Sequence, residues 1–425
     1  MARGRISATK GVLGLICLMY AITYIDRVNV STAASVFKQD LHLTNAQIGL
    51  VFSAFAYPYL IFQVIGGWVS DRFGARLTLT VSAIIWAGAT LLTGLVGTLA
   101  TMLFARVLLG LGEGATFPTA TRAMSDWTLK GKRGFAQGIT HSSARLGNAL
   151  TPPLVAWLIS LVTWRGSFVI LGIISFVWAL AWAVYFRDDP GAHRGITSRE
   201  LEALPDYGLR KKNDPVPWLP LARRMVPVTI VYFCYGWTLW LYLAWIPLFF
   251  LHSYRLDLKN SALFSSGVFF AGVVGDALGG IVSDRIFART GDLNKARRNL
   301  VVFGFLCSLA SMVPILFLHN LTWAAICLSS AFFFAEFTIG PMWAIPMDIA
   351  PRFSGSASGL MNTGSALAAI VSPLVFGYVI DKTNNWQLPF IGSIVLLFIG
   401  SILAFWMKPA QGLAAPVAEM SPAAV

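Results

Sequence analysis

Apolar runs of membrane-spanning length recur about twelve times along the 425 residues of this chain. The hydrocarbon core of a bilayer is about 30 Å thick, so a helix that crosses it needs roughly 18 to 25 mostly apolar residues. Hydrophobic residues make up 56% of the sequence and charged residues 12%, which leaves too few polar groups to cover a water-soluble globule. The pattern predicts an all-α membrane protein with twelve spans. Their predicted starts are Gly11, Ala46, Leu77, Leu99, Gly134, Ser167, Pro227, Ser261, Leu300, Leu321, Ala357 and Pro389.

The net charge of +13 is concentrated on one face of the membrane. If alternate loops lie on opposite faces, about 24 of the 32 Lys and Arg residues fall on the same face. Cytoplasmic loops carry this kind of excess. Both termini and the central loop are therefore predicted to be cytoplasmic, and no nucleic-acid partner is expected. Short loops favour a bacterial inner membrane, with the lipid bilayer as a constant partner.

The two halves of the chain resemble each other. GWVSDR at residues 67–72 is echoed by GIVSDR at 280–285, and an A-x-G…P pattern at 136–152 is echoed at 357–373. Internal repeats with a substrate site at their interface are a transporter architecture. The predicted organisation is an N-terminal six-helix bundle at 1–186, a cytoplasmic linker at 187–224, a C-terminal six-helix bundle at 225–408 and a flexible tail at 409–425.

Several motifs resemble those of a known family. GWVSDRFGAR at residues 67–76 resembles the loop signature G-x-x-x-D-R-x-G-R-[KR] of the major facilitator superfamily, and RVLLG from Arg106 resembles its R-x-x-x-G motif. YIDRVNVS in the first span and FPTATRAMSDW after Glu113 are similar to the anion:cation symporter family, which carries sugar acids, tartrate, phthalate and related carboxylates. The resemblance covers essentially the whole chain and implies two six-helix bundles that work by alternating access.

Four charged side chains lie inside the apolar first and fourth spans: Asp26, Arg27, Arg106 and Glu113. A charge at the bilayer centre costs about 2.5 to 3.5 kcal/mol on mild insertion scales, so such residues usually face a partner or a watery path. Arginine stays protonated and matches a carboxylate, so Arg27 and Arg106 are the predicted anion ligands. Asp26 and Glu113 can exchange protons and are the predicted proton carriers. A purely structural ion-pair set is the alternative.

The family resemblance assigns further roles. It implies that Arg27 contacts a substrate carboxylate, and that the acids at 26 and 113 carry or respond to a co-transported proton. It also implies that Tyr59, Trp343 and Asn362 line the substrate pocket, although packing is the ordinary role of a single aromatic residue in a membrane helix.

One departure from the family pattern concerns the substrate. Where sugar-acid carriers can present a glutamine from the fifth span, this chain has Ala144, followed by Arg145. Arg145 is either a second anion contact or the partner of a carboxylate. The seventh span has an unusual aromatic content, which suits a substrate ring as well as the membrane interface. Together these features favour an aromatic or cyclic carboxylate over a sugar acid. The aromatic residues are Tyr232, Tyr235, Trp237, Trp240, Tyr242 and Trp245.

The repeated loop motif predicts a gate at the cytoplasmic face. Gly74 permits a tight turn after the second span, and Asp71 can meet a helix N-terminus or an arginine. Arg122 and Asp126, at the end of the fourth span, are its candidate neighbours. Such contacts would break as the halves move. The predicted gating residues are Asp71, Arg72, Arg76, Arg122, Asp284 and Arg285.

Two further acids and a histidine lie within spans. Asp276 precedes Asp284 by eight residues and is expected near the cytoplasmic mouth rather than at the midplane. Glu336 is either a coupling residue or a hydrogen-bonded acid that stays protonated. His141 is expected to be a packed polar residue.

The function predicted from these observations is uptake of a small organic carboxylate together with protons, by a monomeric secondary transporter. A sugar-acid symporter is the alternative, as is an anion exchanger or exporter of the same fold. No nucleophile–base motif, P-loop or Cys/His cluster is present in the sequence, so neither an enzyme nor a cofactor or metal site is predicted.

Overall fold

The computed structural model describes residues 7–43, 45–204, 215–318 and 320–413, and their regular structure is helical. The fifteen α-helices of this part of the chain are α1 (Ala8–Asp40), α2 (Asn45–Ser53), α3 (Ala56–Phe73), α4 (Ala75–Leu95), α5 (Leu99–Gly114), α6 (Thr116–Trp127), α7 (Arg133–Tyr185), α8 (Ser198–Glu202), α9 (Trp218–Ser253), α10 (Leu258–Thr290), α11 (Leu300–Met312), α12 (Leu321–Glu336), α13 (Ile339–Ile349), α14 (Ser354–Thr383) and α15 (Pro389–Leu403).

Helix α7 contains two membrane spans. At 1.5 Å per residue its 53 residues would extend about 80 Å, far beyond the ~30 Å hydrocarbon core. Thr163 has φ 80° and breaks the helix. Next to the break, Trp164 Nε1 donates to Asp40 Oδ2 (3.1 Å), and farther along Trp178 Nε1 donates to the carbonyl of Leu15 (2.9 Å). The chain therefore reverses at Thr163 and returns along α1. The eleven apolar segments found in the described residues thus contain the twelve predicted spans, which are confirmed.

The fourth span of each half is interrupted at a corresponding place. In the first half α5 ends one residue after Glu113, and α6 continues the span. In the second half α12 ends at Glu336, and α13 continues the span. Interrupted helices are tolerated at membrane depth where they are buried in protein or line a cavity. The repeat therefore places one glutamate at a helix break in each half.

The two halves meet through close backbone contacts. Helix α3 packs against α14, and α7 packs against α10. A Cβ atom added to Gly280 would lie 2.3 Å from the carbonyl oxygen of Gly134, and one added to Gly67 would lie 2.3 Å from that of Gly355. Glycine at these positions lets the helices approach closely. Large apolar side chains such as Leu95 and Phe317 are exposed on the outside, as a lipid-facing surface requires.

The predicted boundaries agree only in part with the helices. Predicted starts at Leu99, Leu321 and Pro389 coincide with the first residues of α5, α12 and α15. Helix α9 begins at Trp218, inside the predicted linker 187–224, so the last part of that segment is helical. Residues 205–214 of the linker and 414–425 of the predicted tail lie outside the described residues, as do the first six residues.

Candidate functional site

A narrow cavity of about 20 Å³ lies between the two halves. The first half contributes walls from α1, α3, α6 and α7, and the second contributes walls from α9, α13 and α14. Its charged lining is cationic and the rest is mainly aromatic. The lining residues are Tyr24, Arg27, Tyr59, Phe117, His141, Arg145, Tyr232, Leu239, Trp240, Trp343, Asn362, Ser365 and Ala366.

The Arg27 side chain lies in the cavity among four aromatic rings. Its guanidinium carbon lies 4.6 to 5.4 Å from the ring centroids of four aromatic residues, distances at which cations are attracted to ring faces. Its Nε donates to Glu113 Oε2 at 2.5 Å, and the Glu113 side chain is fully buried. The cation is therefore neutralised from behind while the cavity side of its donor fork stays available. The four rings belong to Tyr24, Phe55, Tyr59 and Phe117.

Asp26 and Arg106, the other two charged residues predicted in the first and fourth spans, lie outside the cavity lining. Asp26 is buried, and its Oδ2 accepts a hydrogen bond from Ser175 Oγ at 3.1 Å. Arg106 Nε donates to the carbonyl oxygen of Val51 at 3.3 Å, and its guanidinium lies over the Phe55 ring at 5.3 Å. The structure thus brings Arg27 and Glu113 together and places Arg106 away from the space that a ligand would occupy.

The three residues that the family resemblance assigned to the pocket all line it. Arg27 lies 4.6 Å above the Tyr59 ring. Trp343 Nε1 donates to the Tyr232 hydroxyl at 2.7 Å, within the second half. Asn362 Nδ2 donates to Gln63 Oε1 at 2.8 Å and so connects the two halves beside the cavity.

Arg145 lines the cavity and pairs with carboxylates, which is one of the two sequence-based alternatives; a second anion contact stays a prediction. Its Nε lies 3.1 Å from Glu336 Oε2 and 3.9 Å from Asp276 Oδ2. Its Nη2 donates to the Tyr235 hydroxyl at 3.2 Å. The expectation that Asp276 lies near the cytoplasmic mouth is wrong, because its carboxylate faces Arg145 and is fully buried.

Sequence reasoning missed several lining residues. Tyr24 lies one helical turn before Arg27, and Ser365 lies one turn after Asn362, so helical periodicity around the predicted residues would have found both. His141 lines the cavity while its Nδ1 lies 2.9 Å from the carbonyl oxygen of Gln137. Of the aromatic residues in α9, Tyr232 and Trp240 face the cavity, so only part of that set is available to a ligand.

At the cytoplasmic end, Asp71 connects the first half to the second. Its Oδ1 accepts from the backbone N–H of Gly355 (3.1 Å), and its Oδ2 accepts from that of Ser356 (2.6 Å). These N–H groups lie in the first turn of α14, and a negative charge is favourable at a helix N-terminus. Arg122 Nε lies 3.6 Å from Asp71, and its Nη1 donates to Asp126 at 2.8 Å.

Asp284 makes the corresponding contact in the opposite direction. It accepts from the backbone N–H groups of Gly134 (3.0 Å) and Phe135 (2.6 Å), which open α7. Arg297 connects it to a further acid, lying 3.0 Å from both Asp284 and Asp348. Arg133 in the first half also pairs with Asp348 at 3.0 Å. The repeat therefore connects the two halves at the cytoplasmic end through two equivalent sets of contacts. Sequence analysis singled out none of the last three residues.

The remaining predicted gating arginines have local roles in this conformation. Arg72 is exposed and lies 5.6 Å from the Trp68 ring centroid. Arg76 Nε donates to the carbonyl oxygen of Ala183 at 2.9 Å, which connects α4 to α7 within the first half. Arg285 is exposed at the cytoplasmic end of α10. Among the predicted gating residues, contacts between the halves are thus made by the two aspartates and by Arg122, whose Nη1 also lies 3.5 Å from the carbonyl oxygen of Pro351.

Comparison with known proteins gives a consistent result. The family model described as Major Facilitator Superfamily matches residues 16–373. The chain is 46% identical over 411 residues to the probable sulfoacetate transporter SauU of Cupriavidus necator, with 95% of each chain covered. It is 30% identical over 444 residues to the probable galactarate/D-glucarate transporter GudP of Escherichia coli, covering 96% of this chain and 97% of the relative.

A solved structure with a similar fold is that of the human organic anion transporter MFSD10. It matches with a TM-score of 0.72 and 15% identity, covering 93% of this chain and 99% of that one. At this identity the match supports the fold alone. Twelve spans, a matching family model and full-length relatives agree, so the chain belongs to the major facilitator superfamily and is a multi-pass secondary transporter rather than an enzyme.

Proposed function

We propose that this transporter imports a small organic anion together with protons, through the cavity between residues 1–186 and 225–408. The observation that carries the proposal is Arg27, a cation whose ion-pair partner is fully buried while its guanidinium faces the interface of the two halves. Burying a cation in a bilayer costs free energy, and binding a neutral substrate does not require one. A carboxylate or sulfonate would accept hydrogen bonds from the guanidinium N–H groups that face the cavity.

Proton coupling follows from competition for Arg27. An anion that approaches the guanidinium adds a negative charge beside Glu113, and two like charges at one site favour protonation of one of them. Glu113 is therefore the first proposed proton carrier. Asp26, buried one residue before Arg27, is the second. In this arrangement Arg106 acts on the acids through its charge and does not contact the substrate.

Alternating access requires the cytoplasmic contacts to form and break. We assign the gate to Asp71, Asp284 and Arg122, with Arg297 and Asp348 as further members. Each aspartate accepts hydrogen bonds from two backbone N–H groups across the interface. The closed state therefore has two similar contacts, which break together as the halves rock.

The substrate class that best fits the relatives and the cavity is a short sulfo- or carboxy-substituted anion, with sulfoacetate the first candidate. The similarity to SauU supports it. An aromatic or cyclic carboxylate is the second candidate because rings from both halves line the same space. A sugar acid is the third, supported by the similarity to GudP.

Energetics make the proton number part of the proposal. An inward-negative potential opposes anion entry by about 2.3 kcal/mol per charge per 100 mV. Uptake that the potential assists must therefore carry more protons than the anion has negative charges. Without that excess the potential gives no assistance, and uptake depends on the pH gradient and the anion gradient.

A ligand screen of the purified transporter tests the anion site. Thermal stabilisation is measured with sulfoacetate, sugar acids, phthalate, hydroxybenzoates and neutral sugars. We expect stabilisation by anions in the wild type and its loss in Arg27→Ala, with Asp40→Asn as the control. Asp40 pairs with Arg165 outside the cavity, and its side chain is 43% exposed. Stabilisation by neutral sugars alone, or anion binding that survives Arg27→Ala, would contradict the assignment.

A further inference from the structure

A second buried charge cluster lies beside the cavity, where the halves meet. Arg145 from α7 faces Glu336 of α12 at 3.1 Å and Asp276 of α10 at 3.9 Å. Tyr235 of α9 donates to Glu336 Oε1 at 2.9 Å and accepts from Arg145 Nη2 at 3.2 Å. The three charged side chains are at most 2% exposed. One cation from the first half therefore faces two acids from the second.

The charges of this cluster do not balance unless it holds a proton. With both carboxyl groups ionised, the cluster carries one uncompensated negative charge away from water, which is costly. Asp276 Oδ2 and Glu336 Oε2 both lie within 3.9 Å of one atom, Arg145 Nε, so the two carboxyl groups are close neighbours. Two carboxylates that share a site disfavour ionisation of both, so protonation of one of them is favoured. The geometry therefore fits one proton held by the pair.

The internal repeat places this cluster opposite the Arg27 site. Glu113 and Glu336 occupy the helix breaks in the fourth spans of their halves. Glu113 pairs with Arg27 and Glu336 pairs with Arg145, and both arginines line the one cavity. The cavity thus has two cations, each backed by a glutamate from an equivalent position.

The two cations are close enough for one small molecule to reach both. The guanidinium carbons of Arg27 and Arg145 lie 4.9 Å and 5.4 Å from the centroid of the same Tyr24 ring. Their separation is therefore no more than the sum of these distances. With a charge-assisted hydrogen bond of about 2.8 Å at each end, this span suits an anion whose two charged groups are a few bonds apart.

We propose that Arg145, Asp276 and Glu336 form a second proton site and a second anion subsite, and that the substrate is a short dianion held between Arg27 and Arg145. This inference rests on the proposed anion transport and adds the charge type of the substrate. An anionic group that reaches Arg145 increases the negative charge beside the two acids and so favours their protonation. By linkage, protonation favours anion binding to the same degree.

The other titratable groups around Arg145 are tyrosines and one histidine. Tyr24 lies on α1, Tyr232 and Tyr235 lie on α9, and His141 lies on the same helix as Arg145. Unperturbed tyrosines titrate near pH 10 and stay neutral at physiological pH. A pH dependence near neutrality that disappears on changing either acid would therefore belong to the acid pair, whereas one that disappears on changing His141 would not.

Binding measurements with defined probes test the proposal. The affinity of the purified transporter for sulfoacetate, acetate and methanesulfonate is measured by calorimetry at one acidic and one alkaline pH. We expect the wild type to bind sulfoacetate roughly ten-fold or more tighter than either monoanion, the effect of one additional charge-assisted contact. The preference should increase at acidic pH. Glu336→Gln should retain the preference and remove its pH dependence, whereas Arg145→Gln should remove the preference itself.

An infrared measurement tests the proton independently of any ligand. The C=O stretch of a protonated carboxylic acid should be present in the wild type at neutral pH. It should decrease in Glu336→Gln, because the one remaining acid then pairs with Arg145 and ionises. Asp276→Asn is the second variant, with the same expectation, and Asp40→Asn is the control that should leave the band unchanged.

The outcomes separate the two proposals. If no anion binds the wild type, anion transport is contradicted, and the infrared band decides the proton site alone. If the wild type binds acetate and sulfoacetate equally, the second subsite is contradicted while anion transport stands. The same conclusion applies if the preference of Glu336→Gln for sulfoacetate still varies with pH. An unchanged infrared band in both acid variants overturns the proton site.

Discussion

The contact between Asp71 and the start of α14 gives a quantitative prediction. Its two carboxylate oxygens accept from the backbone N–H groups of Gly355 and Ser356, and both amides belong to the opposite half. Asparagine has a single acceptor oxygen and no charge. Asp71→Asn therefore removes at least one charge-assisted hydrogen bond across the interface and the favourable charge at a helix N-terminus.

The size of the effect follows from these two losses. A hydrogen bond to a charged group contributes about 1.5 to 3 kcal/mol. A charge at a helix terminus adds about 0.3 to 1 kcal/mol. A combined loss of roughly 2 to 4 kcal/mol would raise the ratio of cytoplasm-open to cytoplasm-closed molecules roughly 30- to 700-fold. Asp284→Asn should have a similar effect, and the two should be nearly additive because the contacts are separate.

Pulsed electron paramagnetic resonance measures this ratio directly. Spin labels are attached at Lys130 and Arg289, exposed residues at the cytoplasmic ends of opposite halves. We expect a longer distance to gain population in Asp71→Asn and more in the double variant, with Asp40→Asn unchanged. A distance distribution that is the same in all variants would refute the assignment of these contacts to the closed gate. The labelling background replaces the four native cysteines, Cys17, Cys234, Cys307 and Cys327.

Three further predictions follow from other contacts. Arg27→Lys keeps the charge but loses the planar fork, so calorimetric affinity for the transported anion should fall roughly ten- to hundred-fold; equal affinity would contradict a bidentate contact. Gly280→Ala places a Cβ 2.3 Å from the carbonyl oxygen of Gly134, so the spin-label distance should lengthen and Tm should fall, and no change in either would contradict a closed interface at that point. Although burial opposes it, hydrogen bonds from Ser7 and Thr197 lower the pKa of Glu200 to about 2. The stabilisation from Glu200 is therefore complete above its unfolded pKa of about 4.3 and lost as pH falls toward 2. A thermal-shift pH series should show Glu200→Gln destabilised at neutral pH and equal to the wild type at low pH, whereas equal stability at every pH would contradict this.

The fold and part of the site were predictable because their signals are local. The length of each apolar run predicts a membrane span, and the repeated S-D-R motif marks equivalent positions in the two halves. Asp71 and Asp284 both follow from that motif, and Arg27 follows from the cost of a charge in the membrane. None of these inferences needs the relative rotation of the helices.

The remainder depends on which residues distant helices bring together. Arg106 and Glu113 share a face of α5, but seven residues separate them by about 10 Å along the axis, so Glu113 reaches Arg27 while Arg106 faces Val51. Asp276 precedes Asp284 by about 12 Å on the same basis, which is deep inside the membrane rather than at its mouth. Their partners are set by packing between helices far apart in sequence.

Uphill transport in proteoliposomes tests the central claim most directly. The purified protein is reconstituted with an acidic exterior, and accumulation of labelled sulfoacetate is followed with and without a protonophore. We predict accumulation above the equilibrium level that collapses with the protonophore. Glu113→Gln should lose the accumulation while retaining exchange of labelled for unlabelled anion. Anion uptake that is indifferent to the pH gradient in the wild type would contradict proton-coupled import.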